Sequence, residues 1–167
     1  LTVINGYGGY GGGIFCNNSS PSLTNISVSG NSASNNGGGL YLDSSNPSLV
    51  NVTITNNTTV GNGGGVYCYD YSNPPFTNVT ISNNSAVNNG GGVYLDSSNP
   101  SLVNCILWND APDELYINNN ASVAATYSNI QGGWEGEGNI NADPLFMDAG
   151  NDDLHLQWGS PCIDSGD

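Results

Sequence analysis

Gly-Gly-Gly recurs at Gly11, Gly37, Gly63 and Gly90, at intervals of 26, 26 and 27 residues. A fixed period of this length confines the chain to a repeat architecture, in which each unit buries its apolar face against the next. Each triplet opens a short apolar run: Ile14-Phe15-Cys16, Leu40-Tyr41-Leu42, Val66-Tyr67-Cys68 and Val93-Tyr94-Leu95. A polar turn with a proline follows, then a second run such as Leu49-Val50-Asn51-Val52-Thr53-Ile54. The extra residue of the third repeat falls in the turn 69–73, where an insertion costs little. Residues 1–10 read as the tail of a preceding repeat.

The second runs also fit leucine-rich spacing, as in Leu49-x-x-Val52-x-Ile54-x-x-Asn57. That architecture closes each repeat with a helix or 3₁₀ turn, and the Gly, Asn, Ser and Pro found here do not make helices. The pattern therefore favours an all-β, right-handed parallel β-helix of about 26 residues per rung. Rungs are expected over residues 1–133, with 134–167 as an irregular C-terminal cap of the same domain carrying Trp134 and Trp158.

Strand alternation points Ile14, Leu40, Val66 and Val93 inward, with Cys16, Leu42, Cys68 and Leu95 beside them. Cys16 and Cys68 fall two rungs apart, about 10 Å, which predicts free buried thiols. Cys105 also belongs to a core column, and Cys162 is left open. In the second run the inward positions are three apart, so alternation must break at Asn25, Asn51, Asn78 and Asn104. Asn tolerates the left-handed backbone such a bend needs, and stacked amides can bond along the axis. These four are expected to form a structural ladder with no ligand role.

The Gly-Gly-Gly-Val-Tyr and Asn-Val-Thr-Ile-Ser-Asn-Asn phrases resemble the repeats of right-handed parallel β-helix proteins of the pectate-lyase-like superfamily. Within it, the chain is most similar to large secreted or surface-anchored microbial β-helix proteins. Ala142-Asp143-Pro144-Leu145-Phe146 and Gly159-Ser160-Pro161-Cys162-Ile163-Asp164 resemble the segments with which such helices finish. The resemblance implies the fold, and leaves function open, because this scaffold carries both enzymes and adhesins. Lyases of the superfamily generally use an Arg or Lys base, and its hydrolases set several Asp beside a His-Gly signature. This chain has no Lys or Arg, and its single His155 lies in Leu154-His155-Leu156.

The charge is −14. With nothing to neutralise phosphates, nucleic-acid binding is excluded, as is a polybasic attachment to anionic membranes. No apolar run is long enough for membrane insertion. Two features suggest ligands. Phe15, Tyr41, Tyr67 and Tyr94 form an outward aromatic column, readable as a stacking stabiliser or as a partner- or glycan-binding face. Eleven of the fourteen carboxylates lie beyond residue 100. Asp148, Asn151, Asp152 and Asp153 crowd one loop, and Asp43, Asp70 and Asp96 share a turn region; both sets suggest calcium. The outward Ser27, Ser29, Thr53, Thr55, Thr80 and Ser82 are explained by strand propensity.

The functional expectation is a non-catalytic extracellular or cell-surface structural or adhesive β-helix. It would self-associate end to end or laterally into a filament or surface layer, or bind cell-surface glycans. The alternatives are a glycan-binding module and a carbohydrate-active enzyme.

Overall fold

The computed structural model describes residues 1–151 and 153–163. Three parallel sheets wind around one core. The tyrosine sheet stacks Ile14–Asn17, Leu40–Asp43, Val66–Tyr69, Val93–Asp96 and Leu115–Asn118. The long sheet stacks Thr2–Ile4, Ser22–Ser29, Ser48–Thr55 and Pro75–Ser82, then two rungs that are each split into a pair of short strands. The short sheet holds Tyr7–Tyr10, Ser32–Asn36, Thr58–Thr59 and Ser85–Ala86. Thr2–Ile4 and Tyr7–Tyr10 pair with the strands of the next rung, so residues 1–10 are indeed the tail of a rung.

The register is the one expected from the repeat. Ile14 pairs Leu40, Leu40 pairs Val66, and Val66 pairs Val93. Leu40, Val66 and Val93 are fully buried. Cys16, Leu42, Cys68 and Leu95 form the neighbouring core column, and all four cysteines are free thiols. Among the described residues the only helical turn is a 3₁₀ turn at Ala149–Asn151, so no leucine-rich repeat is present.

The long strands bend where alternation fails. Asn25, Asn51, Asn78 and Asn104 have φ of 53°, 54°, 54° and 55°. This left-handed step lets Leu49, Val52 and Ile54 all reach the core. Asn51 Nδ2 donates to Asn25 Oδ1, and Asn78 Nδ2 to Asn51 Oδ1, both at 3.1 Å. The extra residue of the third repeat is absorbed by consecutive left-handed residues, Asp70 and Tyr71, where the flanking rungs have Ser44 or Ser97 alone.

The triplets form the tight corner between short and tyrosine sheets. Gly37 takes φ +69°, and a Cβ on Gly38 would lie 2.5 Å from both the Gly64 and Thr58 carbonyl oxygens. Neighbouring backbones touch there, so no side chain fits.

Past Ile130 the segment behaves differently from a simple end cap. Trp134 packs against the core, but Trp158 is fully exposed and caps nothing. Ile140 bridges to Asn129 in one last parallel step. The antiparallel hairpin Phe146–Asp148 and Asp153–Leu156 then lies along the long sheet. Asn83 Nδ2 donates to the Ala149 carbonyl at 3.3 Å, and Leu154 and His155 form a groove with Ser27, Thr53 and Thr80. Thr55 and Ser82, expected to face outward, are buried at 2 % and 1 % exposure. Thr55 donates to Ser29 Oγ, and Ser82 to the Trp108 carbonyl.

A candidate carboxylate site at the end of a buried asparagine ladder

The aromatic column points away from the core, and it is not an open surface. Phe15, Tyr41, Tyr67, Tyr94 and also Tyr116 stack with centroids 4.9–5.5 Å apart and planes within 18°. Tyr10 tilts onto Tyr41, and Tyr69 onto Tyr67. Tyr41, Tyr67 and Tyr94 are only 8 %, 6 % and 6 % exposed, whereas Phe15 is 52 % exposed. The faces of Tyr41, Tyr67 and Tyr94 are covered by their neighbours, and Phe15 at the end of the stack stays half open. Burial pushes the Tyr41 hydroxyl up to about 12 and raises Tyr67 further.

The carboxylates singled out for calcium fall in two separate places: Asp43 and Asp70 share the Ser44 hydroxyl, and Asp148 and Asp153 face each other across the hairpin. Asp43 and Asp96 flank Tyr69 in register, so they stand two rungs apart, about 10 Å. Asp43 accepts from Asn17 Nδ2 and Ser44 Oγ, Asp70 from Ser44 Oγ, and Asp96 from Ser97 Oγ and Asn119 Nδ2. Asp148 accepts from Asn151 Nδ2 at 2.7 Å, while Asp153 pairs with the exposed His155 at 2.6 Å. That partner lowers the Asp153 carboxyl below its usual range. Asp152 lies outside the described residues. Among the described residues, no three His, Cys, Asp or Glu side chains group around a metal position.

A different set of polar residues is gathered inside. Asn31, Asn57, Asn84 and Asp110 each sit three residues beyond the core column Val28, Ile54, Ile81 and Leu107. All four are at least nine-tenths buried. Asn31 donates its backbone N–H and Nδ2 to Asn57 Oδ1 at 3.0 and 2.9 Å, and Asn57 repeats this to Asn84 Oδ1. Nδ2 of Asn57 and Asn84 also reach the Val28 and Ile54 carbonyls at 2.9 Å. The corner donors of each turn are thus satisfied by a side chain from the next.

The fourth position carries a carboxyl group. Asp110 Oδ1 accepts from Asn84 as an asparagine would, but Oδ2 stands where the others carry an amide nitrogen. Glu114, past the cis Ala111–Pro112 bond, folds back so that its Oε1 accepts from the Asp110 N–H at 3.0 Å. Asp110 and Glu114 are each 8 % exposed, and Asp110 Oδ2 and Glu114 Oε2 have no hydrogen-bond partner. Burial pushes both carboxyls above the usual range, and the adjacent Glu114 raises Asp110 further. Three residues beyond Ile130, the next residue of the core column, stands Gly133, with no side chain to continue the ladder. A cavity of about 360 Å³ opens there, bordered by Asp110, Glu114, Gln131, Gly133 and Trp134.

Paired acids beside an aromatic side chain can hold a proton, bind a cation or hydrogen-bond a polar ligand. The inner ladder was legible in principle, since Asn31, Asn57, Asn84 and Asp110 all keep the 26–27 spacing and only Asp110 departs from asparagine.

Comparison with curated proteins finds no match, and neither does comparison with solved structures. The family described as a right-handed beta helix region matches residues 12–138, which span all the complete rungs and most of the chain. With its parallel solenoid of about 26 residues per turn, the chain belongs to the right-handed β-helix family.

Proposed function

We propose that this chain is a non-catalytic structural or adhesive β-helix module of an extracellular or cell-surface protein, able to self-associate as a rod. The observation that carries this reading is the axial use of its side chains. Five aromatic rings and two asparagine ladders bond rung to rung, and the inner ladder with Tyr41, Tyr67 and Tyr94 turns little of its chemistry outward. A cross-linked column of this kind resists bending and local opening. The absence of Lys and Arg leaves no trypsin site, which suits exposure to proteases.

Incubation with neutral and acidic polysaccharides, followed for new reducing ends and unsaturated products, tests the non-catalytic part. No product is expected; turnover lost in Asp110→Asn would replace the structural reading with an enzymatic one. Light scattering over rising protein concentration tests self-association, and a strictly monomeric chain would remove the rod assembly.

A further inference from the structure

We propose that Asp110 and Glu114 form a binding site for a hard divalent cation, held by Asp110 Oδ2 and Glu114 Oε2 at the wall of the Gly133–Trp134 cavity. These two oxygens are the only buried side-chain polar atoms without a partner among the described residues. A buried, unpaired carboxylate is expensive, and the sequence offers no Lys or Arg to neutralise one. The ladder shows what an uncharged solution looks like, since an asparagine at 110 would match the three rungs before it. Asp110 and Gly133 depart from the repeat at adjoining positions of the same column, one supplying charge and the other space.

Two carboxylates balance a 2+ charge, and oxygen-only donors select calcium or magnesium over softer metals. Gln131 borders the same cavity, its amide oxygen accepting from the Asn109 N–H at 2.7 Å, and water completes the coordination of such ions. The groups facing the pair are Asn84 and Gln131, which are uncharged, and Asp113, whose carboxylate adds to the attraction for a cation. The imidazole of His155 lies on the hairpin, away from this cavity. With no cation, a proton takes its place, so binding releases protons and weakens on acidification.

The 167-residue chain is titrated with terbium(III) as the probe, exciting tryptophan so that Trp134 sensitises emission, and then with calcium as competitor. Saturable emission displaced by calcium is expected. Asp110→Asn should weaken binding roughly tenfold or more, the scale on which metal sites respond to losing even a supporting group. Trp134→Phe should dim the emission without moving the calcium midpoint, and Asp148→Asn should change neither. Calcium should raise the melting temperature of the unmodified chain but not of Asp110→Asn. Undiminished affinity in Asp110→Asn, or loss in Asp148→Asn instead, would overturn the assignment.

Discussion

Asn84 and Asp110 are joined twice: the backbone N–H and Nδ2 of Asn84 both donate to Asp110 Oδ1, at 2.7 and 2.9 Å. The carboxyl group therefore completes the ladder with one oxygen and leaves the other unanswered. Asp110→Asn supplies an amide N–H beside Glu114, and in metal-free buffer at neutral pH it should raise the melting temperature. Urea denaturation of the two chains checks this, and a less stable variant would contradict it.

The same pair sets a pH dependence. Burial raises both carboxyls in the folded chain, so their contribution to stability is present below the unfolded carboxylate range and is lost as pH rises through their folded values. Without metal, the chain should be more stable near pH 5 than near pH 8, roughly one unit above the carboxylate reference range and above neutrality respectively. Self-repulsion among 14 acidic groups acts in the same direction, so the comparison is with Asp110→Asn, whose profile should be flatter. Parallel profiles would refute the pair as a source.

The two asparagine ladders differ in what they support. Asn57→Ala leaves the buried Asn31 backbone N–H without its acceptor, at about 1–3 kcal/mol, and removes one further bond each from Asn31 Nδ2, Asn84 Oδ1 and the Val28 carbonyl. Asn51→Gly keeps the left-handed bend and removes only exposed amide bonds, at about 1 kcal/mol. Chemical denaturation should rank Asn57→Ala well below Asn51→Gly.

The tyrosine stack should appear in alkaline titration. Tyr41 ionises at about 12 in the folded chain against an ordinary 10.0, so its contribution holds below pH 10 and disappears as pH rises toward 12. Absorbance at the phenolate band should show a late cooperative step, from the buried Tyr41, Tyr67 and Tyr94, that coincides with unfolding. Titration of every tyrosine before unfolding would mean the rings are open to solvent.

The cysteines give a simpler check. Burial pushes the Cys105 thiol up to about 11 and raises Cys68 beyond it. A thiol-specific reagent should label neither in the native chain at pH 8 and both in denaturant, since the thiolate is the reactive form.

The rungs, the inward columns and the bend at Asn51 were readable because each is repeated, and repetition turns a weak local preference into a register. Burial of Tyr41 and Tyr67 was not, because it draws on Tyr10, which comes from the short sheet, and on Tyr69, which stands where its column otherwise carries Asp43 and Asp96. The docking of the hairpin against Thr53 and Thr80 carries no periodic signal at all. The meeting of Asp110 and Glu114 depends on a chain reversal between them that spacing alone does not reveal. Asn31, Asn57 and Asn84 were hidden by the abundance of asparagine around them.

Each buried amide in the Asn31–Asn57–Asn84 series donates in the same sense, from the earlier turn to the later one. Their dipoles add rather than cancel, and the oxygen ends face back toward the Gly6 N–H, which donates to Asn31 Oδ1. The coil is thus a vector. One extremity of the series presents acceptors and the other presents donors, and a carboxyl group closes the donor extremity, as anions do at the positive end of aligned peptide dipoles. Any further turn, in this chain or another, can be added only with the same orientation. A reversed turn would bring like poles together.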